Sequence, residues 1–156
     1  MNGGIGRWLC LFVLLFVGIL PATAGAQAVR PERTCHADAI AGALRETEEE
    51  IGLARAHVEI VGRLDTYVVR TGFEVTPVVG LVTPPFQLTR DEFEVAEVFE
   101  VPLSFILDPA NHQRQSRVDF GGAKREFWVF PYGDYNIWGA TAGMLKNLHF
   151  VLTAPE

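Results

Sequence analysis

Arg45-Glu46-Thr47-Glu48-Glu49-Glu50-Ile51-Gly52-Leu53 places five charged residues in six consecutive positions before an Ile-Gly-Leu ending. Glu46, Glu49 and Glu50 fall at i, i+3 and i+4, so a helix projects all three from one side. Like charges at that spacing repel, by about a few tenths of a kcal/mol per pair. A solvated helix face accounts for most charge runs. Here neutral helix formers would serve stability better, and a cation on the face reverses the sign of the effect. Hard divalent cations such as Mg²⁺ take carboxylate oxygens, usually one or two from protein and the rest from water and substrate phosphates. Arg45, next to the cluster, can hold a carboxylate through a bidentate pair.

Outward from this run, Ile40, Ala43, Leu44, Thr47 and Ile51 repeat at three- and four-residue steps. The spacing predicts a helix over 38–51, capped by Asp38 and stopped by Gly52. Segments 58–64 and 66–70 are β-rich, and 74–82 reads as a strand in which Pro77 demands an edge position or a bulge. Segment 94–101 alternates valine with acids, and 102–107 reads as a helical turn closed by Asp108-Pro109. Segments 117–120 and 125–132, joined through Gly121-Gly122, read as a hairpin. A second helix is expected over 138–152, with Ala142, Leu145 and Leu148 as apolar positions. Strands with one early and one late helix predict an α/β sandwich.

The chain has 156 residues, 49% of them apolar, and a net charge of −6. That length bounds it to one domain, with or without a targeting segment, and the composition is too apolar for intrinsic disorder. The acidic balance argues against a nucleic-acid partner, which would need a basic face. Two cysteines make no disulfide framework. Residues 1–26 carry one charge, Arg7, then an apolar run from Trp8 to Leu20, then Pro21 and Ala24-Gly25-Ala26. That order is signal-peptide-like. The run is too short for a stable membrane span. A genuine leader implies export, and a displaced start implies the cytoplasm. Residues 27–36 are polar and read as a linker. Cys35 lacks a partner motif. His36, His57, His112 and His149 are scattered without metal-site spacing. Trp128 and Phe130 share one strand face, opposite Phe127, and read as packing residues rather than a base-stacking platform.

The charged run resembles the back half of the Nudix box, R-E-U-x-E-E-x-G-U, where U is bulky and apolar and Thr47 stands in one such slot. Gly62-Arg63-Leu64-Asp65, Thr76-Pro77-Val78-Val79-Gly80 and the segment from Glu94 to Val101-Pro102-Leu103 resemble the coenzyme A diphosphatase branch of that superfamily. So do Phe130-Pro131-Tyr132 and Ile137-Trp138-Gly139-Ala140-Thr141-Ala142-Gly143-Met144-Leu145. The resemblance runs from about residue 37 to the C-terminus. It implies a Nudix-type α/β/α sandwich with a mixed sheet. It also implies Mg²⁺ or Mn²⁺ bridging a pyrophosphate, with Glu49 and Glu50 as metal ligands. Glu46 would be a further ligand or the base that orients water, and Arg45 would hold Glu46. Glu48 faces away. A later acid would complete the set, Glu94 ahead of Glu97. The implied substrate is a small-molecule nucleotide, coenzyme A or an acyl-CoA, cleaved to 3′,5′-ADP and 4′-phosphopantetheine. A homodimer is compatible with the resemblance.

Upstream the pattern departs. Gln27-Ala28-Val29-Arg30 stand where the branch carries Phe-Pro-Gly-Gly, and its earlier coenzyme A motif and first strands have no counterpart. The expected organisation is a signal-like segment over 1–26, a linker over 27–36 and a partial Nudix domain over 37–156 that lacks its first strands. The alternative is a catalytically inactive Nudix-derived fragment, exported, with a binding role or none.

Overall fold

The computed structural model describes residues 10–14, 32–69, 74–118 and 121–155. Around the charged run the helical spacing forms α1, Glu32–Ile51. It starts well before the expected Asp38 cap, so 32–36 belong to its opening turns and not to a linker. No glycine or proline after Pro31 interrupts that stretch. At the other end Gly52 takes φ +68° and its amide bonds the Glu48 carbonyl at 3.1 Å, as the C-terminal glycine predicts.

Three strands form the sheet that α1 covers. Cys10–Leu14 is β1, Val58–Arg63 is β2, and Val78–Val82, named β5 below its partners in chain order, lies between them. The signal-like reading otherwise falls on 1–9 and 15–26, and the linker's start on 27–31, all outside the described residues. Val78, Val79, Gly80 and Val82 are buried, the near-continuous apolar run of a strand covered on both faces. Val78 packs with Ala43 of α1, while Val79 packs with Leu64 and Leu148. Leu148 belongs to the last helix, Gly139–Thr153. Adjacent strand residues point to opposite faces, so the first and last helices meet this strand from opposite sides.

The expected strand over 74–82 is two strands. Tyr67–Val68 (β3) pairs with Glu74–Val75 (β4), and Thr76-Pro77 separates β4 from β5. Pro77 is buried, not at an edge, and its carbonyl accepts from the Leu64 amide at 2.9 Å. Segment 94–101 is irregular despite its alternation. Leu103–Leu107 is α2, at the expected helical turn, and buries Ile106.

A second sheet is ordered β6-β7-β8. β6 is Gln113–Val118, β7 is Lys124–Tyr132 and β8 is Tyr135–Trp138. The expected hairpin is present and begins earlier than 117. β8, reached through the tight Gly133-Asp134 turn, had no sequence signal beyond those two residues. The last helix, α3, packs on this sheet, where Phe130, Ala142, Leu145 and Ile106 form one buried cluster. Each described strand pairing is antiparallel, where a mixed sheet would need a parallel pair. Hairpin-length connections explain the β3–β4, β6–β7 and β7–β8 pairs, since a parallel pair requires a long crossover. Among the described residues no helix is long and apolar enough to cross a membrane.

Candidate functional site

On α1 the inward stripe runs through Ala43 and Thr47, both buried. Thr47 occupies its apolar slot with its hydroxyl donating to the Ala43 carbonyl at 2.7 Å, so the buried oxygen is satisfied within the helix. Glu50 follows at i+7 from Ala43 and therefore sits on the same stripe, at its solvent end. Its carboxyl is raised above the ordinary value of 4.5. Burial is the main cause, followed by the charges of Glu46 and Glu94. Two of the expected acids thus lie in the electrostatic field of a third.

The remaining charges of the run divide by face. Arg45 pairs with Glu46, and its other guanidinium nitrogen lies 3.9 Å from the Glu49 carboxylate. The Arg45 guanidinium is thus placed between two carboxylates of the run. Glu49 is on the exposed side of the helix. Glu48 faces away and pairs with Arg55 at 3.3 Å.

Glu94 reaches this face because the segment before it docks on the end of α1. The Thr89 amide donates to the Ile51 carbonyl at 2.9 Å and the Asp91 amide to the Glu50 carbonyl at 2.7 Å. These bonds satisfy carbonyls that the helix end leaves open. The Asp91 carboxylate accepts from the Phe93 amide at 2.7 Å, and the Asp91 carbonyl accepts from the Val95 amide at 2.9 Å. The Arg90 guanidinium donates to the carbonyls of Val95, at 3.2 Å, and Ala96. Gly52 permits the docking. A Cβ there would stand 2.9 Å from the Thr89 carbonyl oxygen, on a backbone already at positive φ.

Glu97, the second choice for the later acid, is engaged elsewhere. The Tyr135 hydroxyl donates to it at 2.5 Å, and Phe99 stacks on the Tyr135 ring at 3.8 Å with 3° between the planes. The Tyr135 hydroxyl is raised above its ordinary value, chiefly because it donates to the Glu97 carboxylate. Arg90, Asp91 and Tyr135 thus shape the site without having been singled out from sequence. The Asp91-x-Phe93 turn was the one local signal available, since aspartate side chains commonly cap a backbone amide two residues on.

The chemistry of Glu46, Glu50 and Glu94 suits a hard divalent cation. Among the described residues no three Asp, Glu, His or Cys side chains converge into a group that could hold a metal ion unaided. A divalent cation taken by carboxylates commonly completes its shell with water and substrate phosphates. The histidines lie elsewhere. His112 and His149 meet edge to face at 4.6 Å between α2 and α3.

No family model matches the chain. Among curated proteins it is similar to one named uncharacterized Nudix hydrolase NudL in Escherichia coli (strain K12), with 39% identity over 112 residues. The alignment takes in 72% of this chain and 58% of that protein. Proteins of the same name in Citrobacter koseri and in Enterobacter sp. (strain 638) are 40% and 41% identical with the same coverage. The chain spans 58% of the length of these curated relatives.

Proposed function

We propose that this chain, which belongs to the Nudix hydrolase superfamily, hydrolyses a nucleoside diphosphate linked to a second moiety with the help of Mg²⁺ or Mn²⁺. The observation that carries the reading is the placement of Glu50 at the end of the inward stripe, with Glu46 on the same helix and the Glu94 segment docked on the helix end; the charges of both raise its carboxyl. A half-buried carboxylate among carboxylates is unfavourable alone and favourable around a cation.

The proposed metal ligands are Glu46, Glu49, Glu50 and Glu94. Glu50 and Glu94 are the pair that supplies oxygens from two different elements, and Glu49 joins from the exposed side of α1. A bound ion supplies charge neutralisation of the diphosphate and a more acidic attacking water. Glu46, steadied by Arg45, orients that water and takes its proton. The water oxygen bonds to one phosphorus, and the bridging oxygen leaves on the other phosphate with the electron pair of the broken P–O bond.

Coenzyme A or an acyl-CoA is the proposed substrate, on the downstream motifs from Gly62 to Leu145. Residues 37–156 are then the Nudix-like part of the chain, of α/β/α sandwich type. The test is release of 3′,5′-ADP from coenzyme A by purified protein with Mg²⁺ or Mn²⁺. Glu50→Gln should reduce turnover by at least about a hundredfold, on the scale of losing a principal electrostatic element. Folded protein that releases none with either metal would favour the inactive-fragment reading.

A further inference from the structure

Glu94 lies in a turn of a segment that is neither helix nor strand, so no ladder fixes the direction of its carboxylate. The bonds around it are nevertheless dense. The Thr89 and Asp91 amides are rooted on the Ile51 and Glu50 carbonyls at the end of α1, at 2.9 and 2.7 Å. Arg90 stands between these two roots. Its guanidinium reaches across to the returning arm of the turn and donates to the carbonyls of Val95, at 3.2 Å, and Ala96. Asp91 holds the near side, with its carboxylate accepting from the Phe93 amide and its carbonyl from the Val95 amide. The residues on both sides of Glu94 are thus bonded within the turn.

Arg90 pairs only loosely with an acid. One guanidinium nitrogen lies 3.9 Å from the Glu92 carboxylate, whose side chain is 81% exposed. An exposed pair of that length contributes little. The close partners are carbonyls instead. A planar guanidinium presents several donors in a fixed fork and can bond two acceptors at once, which a lysine ammonium does less well. Holding so long a side chain in one form costs conformational entropy. What the clasp fixes is the path of the chain from 91 to 96, with Glu94 inside it.

We propose that Arg90 is a positioning residue: by clasping the Val95 and Ala96 carbonyls it sets where the Glu94 carboxylate meets a divalent cation that Glu50 also holds. The inference rests on the proposed function in taking Glu94 as a metal ligand. Groups that orient a metal ligand without touching the ion change metal affinity by roughly ten- to a hundredfold when removed. Charge alone makes the opposite prediction. Arg90 is itself a cation, four residues from Glu94, so its removal would tighten the hold on a second cation. The sign of the change therefore separates positioning from charge. An arginine that touched a substrate phosphate would instead alter KM and leave binding of the bare ion unchanged.

The experiment is titration of the full chain with Mn²⁺ alone, free Mn²⁺ being read by electron paramagnetic resonance, together with amide hydrogen exchange. Arg90→Gln should weaken Mn²⁺ binding about tenfold or more. Arg90→Lys should recover part of that loss, since an ammonium can still reach one carbonyl. The Val95 amide should exchange faster in Arg90→Gln. The Thr89 amide should exchange as in the parent, which shows that the variant is folded and its segment still docked. Mn²⁺ bound by Arg90→Gln as tightly as by the parent, or more tightly, overturns the inference, and so does a parent that binds no Mn²⁺. Faster exchange at Thr89 as well gives Arg90 a part in docking the whole segment and overturns the narrower assignment. Coenzyme A hydrolysis by the parent alongside unchanged Mn²⁺ binding in Arg90→Gln leaves the proposed function standing and this role refuted. The expected Mn²⁺ pattern in a protein that hydrolyses no coenzyme A does the reverse.

Discussion

A raised Glu50 carboxyl has a thermodynamic sign that can be measured. The folded chain holds this proton more tightly than the unfolded chain does. The group's contribution to stability is therefore present below its ordinary value of 4.5 and is lost as pH rises through the raised folded value. Metal-free Glu50→Gln should accordingly melt above the parent at neutral pH, and the gap should close below pH 4.5. Mg²⁺ should raise the parent's Tm and leave the variant's unchanged, because ligand binding to the native state alone is stabilising. Thermal melts at three pH values, with and without metal, check this. The carboxylates themselves were legible in sequence, because i, i+3, i+4 spacing fixes a shared side whatever the helix packs on. Which of them would be buried was not. That depended on Ala43 and Thr47 setting the inward stripe, and the hydroxyl of Thr47 disguised its place on it.

Helix α1 and the segment that docks on its end form one unit, and Gly52 is where they touch. Gly52→Ala places a side chain on backbone at φ +68°, which costs about 1–2 kcal/mol in the left-handed region. It also drives a methyl into the Thr89 carbonyl. The expected result is a lower urea midpoint together with a loss of turnover larger than the loss of folded protein, since Glu94 moves with Thr89 and Asp91. The end of α1 could be read from its glycine, but its start could not, because 32–37 contain no residue that separates helix from linker. Segment 94–101 misled for a clear reason. Valines alternating with acids signal a half-buried backbone, and that backbone is anchored to a helix end and to Tyr135 instead of to a neighbouring strand. The choice of Glu94 over Glu97 rested on resemblance. The structure adds that the Glu97 carboxylate accepts a hydrogen bond from Tyr135, far along the chain.

Across the whole molecule, β5 stands between two helices and the outer sheet extends the core on the side of α3. That packing also acts on one histidine. The His149 ring is lowered from its ordinary value of 6.5, mainly by burial and then by Lys146 and His112. Its Nδ1 is buried without a hydrogen-bond partner among the described residues. The fold thus favours the neutral ring, and the unfolded chain binds the extra proton first. Stability contributed by this site is present above pH 6.5 and is lost as pH falls toward the lowered value. His149→Phe should flatten the acid limb of a stability curve between pH 7 and pH 5, as urea midpoints across that range would show. The general α/β class was readable because the two helices and the strands differ in period. The pairing of β1 with β5 was not, because an apolar run of that length suits a leader as well as a buried strand. The Thr89 and Asp91 amides, bonded to the last carbonyls of α1, have a consequence in time. Their hydrogen exchange with solvent occurs only when the segment lifts from the helix. Their exchange rates therefore clock how often Glu94 leaves Glu50, and they would slow when a cation holds the two together.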